Sequence, residues 1–275
     1  MNTLLRLCLY IAIGYGLLVL LVFLMQRRMI YAPESGRPGE DTVQVMGLRF
    51  WPAADGNFRG FVNRVDPSVP SRGTVVVFHG NAGSAWQRDY FIRALQPLGY
   101  QVVLAEYPGY GGRPGESNET AFIQDALATV REARSAFGAP IYLLGESMGC
   151  GVAAAAAARP ESDASGLILI TPWDSLPDLA QTHYWYLPAR MLTIDQFNSL
   201  RNLRSFDRPV AVAIAKNDTI VPNKHSLRLY HSITAPKRLW EFPGAGHNSW
   251  PTDADAPWWR EAMDFVTTAT FHLPD

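Results

Sequence analysis

The chain has 275 residues, 48% of them hydrophobic and 18% charged, with 24 basic against 25 acidic side chains and a net charge of −1. That length suits one α/β domain with a core large enough to fold without staples. The even charge balance, with no long basic run, argues against a nucleic-acid partner, and two cysteines, Cys8 and Cys150, are too few for a disulfide framework.

Leu7–Met25 is a 19-residue stretch without a charge, rich in Leu, Ile and Val. At about 1.5 Å per residue it nearly crosses a hydrocarbon core of about 30 Å. A cleaved signal peptide would carry a shorter apolar core and a small-x-small cleavage site. This stretch instead runs into Phe23-Leu24-Met25-Gln26-Arg27-Arg28. A buried core helix is the other reading, but a helix apolar on every side does not suit the edge of a soluble domain. Residues 1–28 are therefore expected to be an uncleaved transmembrane helix that anchors the chain in a membrane. Arg6 and the terminal amine precede it, and Arg27, Arg28 and Arg37 follow. That balance leans towards a cytoplasmic C-terminal domain and leaves the membrane face open.

Residues 29–41 read as a linker, with prolines, glycines and no apolar periodicity. From Thr42 to the C-terminus, short apolar runs alternate with helical stretches, the pattern of βα units around a mainly parallel sheet with helices on both faces. Val43–Trp51 and Gly60–Val65 look like an antiparallel hairpin. Thr74–Phe78, Gln101–Ala105, Ile141–Leu144, Leu167–Ile170, Val210–Ala215 and Arg238–Phe242 are expected strands, mostly continuous apolar runs as befits burial on both faces. Helices are expected over Ala85–Gln96, Glu119–Phe137, Met148–Ala158 and Trp258–Phe271. The connection Thr171–Phe206 is long against the usual 2–6 residues or so, and reads as a short cap.

The sharpest chemical signal is Gly145-Glu146-Ser147-Met148-Gly149, between an apolar strand and a small-residue helix. It matches the nucleophile elbow Gly-x-Ser-x-Gly, in which glycines two before and two after the serine relieve a tight, strained turn. A serine needs a base, and the base an orienting acid. Asp218 and His247 follow the strands Val210–Ala215 and Arg238–Phe242, at the strand ends where α/β sheets place their sites. Asp174 is the rival acid. His225 and His231 fall in an expected helix after Pro222 and read as surface or capping residues. His272 is at the tail, and Asp207 reads as a turn cap. A developing oxyanion needs N–H donors. Met148 N–H is one candidate and Asn81 N–H, in His79-Gly80-Asn81-Ala82-Gly83, the other; His79 itself reads as structural. His183 and Trp185 in the cap and Tyr110 in a glycine-rich turn are candidate substrate contacts. That turn lacks the spacing of a phosphate-binding loop. No metal-ligand cluster is found, and no metal or cofactor is expected.

Together, His79-Gly80-Asn81-Ala82-Gly83, Tyr107-Pro108-Gly109-Tyr110-Gly111, the elbow, Asp218 and Gly246-His247 resemble the membrane-anchored α/β-hydrolase-domain group that includes the Bem46-like proteins. The stretch Gln26–Pro33 is also similar to that group. The resemblance implies the α/β-hydrolase fold, N-terminal membrane anchoring, and hydrolysis of esters or thioesters, often with lipid acyl chains. The reading that follows is a serine hydrolase acting on acyl esters or thioesters beside membrane lipid. A peptidase or amidase on the same scaffold, or a catalytically silent membrane scaffold, is the alternative.

Overall fold

The computed structural model describes residues 3–53, 57–63 and 71–269. The chain opens with helix α1 (Thr3–Ile30), then β1 (Ala32–Pro33), α2 (Glu40–Val45), β2 (Leu48–Trp51) and β3 (Gly60–Asn63). The alternation continues through β4 (Thr74–Phe78), β5 (Ala82–Gly83), α3 (Asp89–Leu95), β6 (Gln101–Ala105), α4 (Glu119–Phe137), β7 (Ile141–Glu146), α5 (Met148–Ala157) and β8 (Gly166–Ile170). Three short helices form the cap: α6 (Leu176–His183), α7 (Ala189–Leu192) and α8 (Ser199–Asn202). The chain then runs through β9 (Val210–Ala215), α9 (Asn223–Ser232), β10 (Lys237–Phe242) and α10 (Pro257–Thr268).

Among the described residues the main sheet has eight strands in the order β10-β9-β8-β7-β4-β6-β3-β2. β4 and β6–β10 run parallel, and β3 and β2 close one edge antiparallel. The central strands are buried along their whole length, which is why they read as unbroken apolar runs. Helices cover both faces. One core holds Phe122 and Val130 of α4, the alanines of α5 and Leu229 of α9. The other holds Phe91 of α3 and Trp258, Trp259 and Met263 of α10. The mainly parallel sheet, helices on both faces and short cap expected from the sequence are present.

Two expectations need revision. Val43 belongs to a helix, and the first antiparallel strand begins only at Leu48. Val65, Phe271 and His272 lie outside the described residues. The segment after α1 is not a free linker. Ala32 and Pro33 pair in parallel with Ala82 and Gly83, and Tyr31 packs edge-on against Phe122 at 5.3 Å.

Helix α1 is 28 residues long and apolar enough to cross a membrane. Val19, Val22, Phe23, Gln26 and Ile30 recur at helical spacing and are partly or wholly covered by the domain, while Leu17, Leu20, Leu21 and Leu24 stay exposed. Gln26 clamps the helix to the cap, donating to Leu192 O at 3.1 Å and accepting Ile194 N–H at 2.8 Å. Asp195 extends the clamp, accepting from Arg27 and from the Tyr31 hydroxyl at 2.8 Å.

Candidate active site

Ser147 sits where β7 turns into α5, with φ +52° and ψ −116°. A non-glycine residue there carries about 1–3 kcal/mol of backbone strain, which only a surrounding structure can hold. The hold is visible: Ser147 N–H donates to Ile170 O of the neighbouring strand at 2.9 Å, and Cys150 N–H donates to Ser147 O at 2.9 Å. The flanking glycines follow from contact. A Cβ on Gly145 would lie 2.5 Å from Cys150 Cα, and one on Gly149 would lie 1.9 Å from Phe78 O.

Sheet topology brings the distant partners to this turn. His247, on the loop after β10, places Nε2 2.9 Å from Ser147 Oγ. Its Nδ1 lies 2.7 Å from Asp218 Oδ2, on the loop after β9. The other Asp218 oxygen accepts Ile220 and Val221 N–H at 2.9 and 2.7 Å. The carboxylate thereby has one free direction, towards the ring. An Nδ1–H donated to this carboxylate would leave Nε2 free to accept the serine hydroxyl proton. The Asp218 side chain is 1% exposed and that of His247 9%, so the relay is shielded except on the pocket side.

Asp174 does not compete for His247. It accepts from His225 Nδ1 at 2.9 Å, Ser175 N–H at 2.7 Å and Arg228 at 3.2 Å. Burial pushes the Asp174 carboxyl up, but the His225 ring, Ser175 N–H and Arg228 outweigh it and hold its pKa below the ordinary carboxylate range. His225 is correspondingly buried, 4% exposed, and its Nε2 meets Thr182 Oγ1 at 2.9 Å. The expectation of a surface or capping histidine is thus wrong for His225: it bonds α9 to cap helix α6. His231 is exposed. Cys150 is buried against Gly145 O and Ile170 O, and that burial pushes its thiol well above the usual range, which leaves it inert.

Met148 and Asn81 both line the pocket beside Ser147. Neither backbone N–H has a backbone acceptor outside its own element among the described residues. The loop carrying Asn81 is fixed from behind. Glu106, fully buried, accepts from Ala85 N–H at 3.0 Å, from the Ser84 hydroxyl, and lies 3.1 Å from His79 Nε2. The Tyr107 hydroxyl donates to His79 O and the Tyr110 hydroxyl to Asn81 O, each at 2.7 Å. The loop also touches α1, since Asn81 Nδ2 donates to Ile30 O at 2.7 Å.

Ser147 forms the floor of a cavity of about 480 Å³, a volume that suits a single small ligand. Its lining is apolar apart from Gln26, Asn81, Ser147, His183, Tyr184, Thr193 and Thr219, and contains no charged side chain. Of the three expected substrate contacts only His183 lines it, with Nε2 2.8 Å from Ile220 O. Tyr110 does not: it is buried behind the Asn81 loop and works as a support. Trp185 does not either, because it points outward and is 78% exposed. The sequence reading missed a whole wall of the cavity, Val22, Phe23, Gln26, Met29 and Ile30 of α1. Gln26, a polar residue closing an apolar run, was its one available sign.

Comparison with known proteins agrees with this architecture. The family model described as serine aminopeptidase, S33, matches residues 69–193. An uncharacterized protein of Mycobacterium tuberculosis is 35% identical over 236 residues, which is 84% of this chain and 83% of that protein. The lysophosphatidylserine lipase ABHD12 of Danio rerio is 30% identical over 188 residues, 62% of this chain but only 49% of that lipase. The chain thus spans about half the length of the lipases it matches. Among solved structures, the Pyrococcus furiosus esterase Pf2001 superposes with a TM-score of 0.64 at 19% identity, covering 86% of this chain and 97% of the esterase. A Paleococcus ferrophilus monoacylglycerol lipase superposes at 0.55 and 20% identity, covering 73% and 96%. At such identities the structures speak for the fold alone. Sheet order, a serine on a strained strand-to-helix elbow and the matching sequences lead to one conclusion: the chain belongs to the α/β-hydrolase family.

Proposed function

We propose that the chain is a membrane-anchored serine hydrolase that cleaves carboxylic esters or acyl thioesters with lipid-like acyl chains, through an acyl-enzyme on Ser147. In this reading residues 1–28 are the anchor, 29–41 join it to the domain, and 42–275 are the hydrolase with its cap at 171–206. The observation that carries it is the Ser147–His247–Asp218 relay, at 2.9 and 2.7 Å, on the floor of an uncharged, mostly apolar cavity.

The chemistry follows from the geometry. The Ser147 hydroxyl passes its proton to His247 Nε2 while Oγ bonds to the substrate carbonyl carbon. The carbonyl π electrons move onto oxygen, and Met148 N–H and Asn81 N–H face the resulting oxyanion. Donors of this kind each lower the barrier by about 3–4 kcal/mol. Asp218 stabilises the imidazolium without taking its proton. As the tetrahedral centre collapses, the bond to the alcohol or thiol breaks and His247 protonates the leaving group. Water, deprotonated by His247, then attacks the acyl-Ser147 carbonyl; as that tetrahedral centre collapses the bond to Oγ breaks, His247 returns the proton to Oγ, and the acid leaves.

The matching family description supplies a rival, an aminopeptidase on the same fold. A peptide N-terminus is a cation, and its recognition calls for a carboxylate or several acceptors in the pocket. The cavity contains no carboxylate, which favours the acyl reading. The test is hydrolysis of p-nitrophenyl esters from short to long chains, beside the matching p-nitroanilides, by the chain and its Ser147→Ala variant. The acyl reading expects serine-dependent ester cleavage that rises with chain length. Cleavage of anilides in preference to esters would overturn it.

A further inference from the structure

The cap carries an aromatic tip of which only Tyr184 reaches the cavity. Tyr184, Trp185 and Tyr186, between α6 and α7, are exposed and their rings adjoin, and Met191, further along on α7, is 86% exposed. Single exposed apolar side chains are ordinary, whereas a contiguous group marks a surface with a partner. The place of the tip in the fold indicates which partner. The Tyr15 hydroxyl of α1 donates to Tyr186 O at 3.0 Å, so the tip lies alongside the helix. Tyr15 is near the midpoint of the uncharged stretch Leu7–Met25. A bilayer that stopped short of the tip would have only Leu7–Gly14, about 12 Å of helix, against a hydrocarbon core of about 30 Å. A bilayer that takes in the whole stretch takes in the tip with it.

The carbonyls of the tip are prepared for that environment. Hydrocarbon offers no hydrogen bonds, so a carbonyl immersed in it needs a donor from the protein. Gln181 Nε2 lies 3.0, 3.4 and 3.5 Å from the carbonyls of Leu187, Tyr184 and Trp185, and Tyr15 covers that of Tyr186. Gln181 Oε1 in turn accepts Arg190 N–H at 3.1 Å. The cavity runs between these two elements, with Val22 and Phe23 of α1 on one side and Tyr184, Leu187 and Leu192 of the cap on the other.

We propose that the Tyr184–Leu187 tip is a second membrane-contact element, sunk in the bilayer beside α1, and that the cavity between them takes its acyl substrate directly from the leaflet that surrounds the C-terminal half of α1. This rests on reading α1 as a membrane helix and Ser147 as the nucleophile.

The experiment uses the full chain in phosphatidylcholine vesicles, with and without acyl-chain-brominated lipid, which quenches tryptophan emission on contact. Quenching by brominated lipid is expected in the wild type, and most of it should vanish in Trp185→Phe. The double variant Trp185→Asp/Met191→Asp should cleave a long-chain ester embedded in the vesicles about tenfold more slowly, because each aspartate disfavours insertion, yet cleave soluble p-nitrophenyl acetate within about twofold of wild type. Equal quenching in wild type and Trp185→Phe, or equal loss on both substrates, would overturn the proposal. Failure of the chain to float with vesicles would instead overturn the anchor reading, and failure to cleave the soluble ester the nucleophile reading. A chain that floats and cleaves while Trp185 stays unquenched overturns the membrane-contact proposal alone.

Discussion

Asp218→Asn replaces one oxygen of a buried carboxylate by an amide nitrogen of nearly equal size, and the surroundings dictate which way the new amide faces. The Oδ1 position is held by Ile220 and Val221 N–H at 2.9 and 2.7 Å. Turning the amide so that its NH2 met those donors would strand two buried N–H groups, at about 1–3 kcal/mol each. The asparagine therefore keeps its oxygen there and presents NH2 to His247 Nδ1. The ring must then accept at Nδ1 and carry its proton on Nε2, so Nε2 faces Ser147 Oγ as a donor and cannot take its proton. The imidazolium formed during reaction also loses its counter-charge. The expected fall in kcat is about 10³–10⁴-fold, equivalent to about 4–5 kcal/mol of barrier. The assay is ester hydrolysis under saturating and limiting substrate, with circular dichroism to verify folding, beside Asp174→Asn as the control. If Asp218→Asn kept a tenth of wild-type kcat while Asp174→Asn abolished activity, the assignment of the acid would be wrong.

Other outcomes follow from the same contacts. Gly149→Ala would drive a Cβ to 1.9 Å from Phe78 O; backbone on both sides cannot yield, and a loss of about 3 kcal/mol or more is expected, read as insoluble protein or a sharply lowered Tm. Glu106→Gln weakens the buried acceptor behind the Asn81 loop, so kcat should fall about tenfold with KM little changed while stability drops about 1–3 kcal/mol; an unchanged kcat would show that the loop needs no such support. Asp174→Asn should lower Tm through the contacts of α9 with the cap. Because the folded pKa of Asp174 is depressed, its contribution is present above the unfolded carboxylate value of about 3.9 and fades as pH falls through the folded value. The Tm gap between wild type and variant should accordingly stay constant from about pH 7 to 5 and close below about pH 4; a gap that persisted in stronger acid would contradict this.

Much of the sheet was legible because its central strands are buried on both faces, and Thr74–Phe78, Gln101–Ala105 and Val210–Ala215 carry that burial as uninterrupted apolar runs with observed bounds equal to those expected. The α4 helix Glu119–Phe137 was legible for a similar reason: nineteen residues of helical spacing begin at an Asn118 cap that accepts Ala121 N–H at 2.8 Å. Short elements were not. The six residues of α2 are too few for a helical period to outweigh the alternation that continues into β2, although Glu40 and Asp41 in its first turn favour a helix start. The pairing of β1 with β5 involves two residues on each side and leaves no pattern. Side-chain direction was the other limit. Tyr110 and Trp185 lie in the expected segments but face away from the cavity, Tyr110 held by its bond to Asn81 O and Trp185 turned out to the surface. His225 looked superficial for the same reason: its partner Asp174 lies 51 residues earlier. The role of α1 as a pocket wall depends on how the helix lies across the domain, which no local period encodes.

The most direct test of the central claim is capture of the intermediate. The full chain is mixed with a long-chain p-nitrophenyl ester, quenched in acid within one turnover, and digested for mass spectrometry. The account predicts a burst of p-nitrophenol matching the enzyme concentration and one acyl group on the peptide containing Ser147, both lost in Ser147→Ala. Hydrolysis with no acyl adduct, or hydrolysis undiminished in Ser147→Ala, would contradict it.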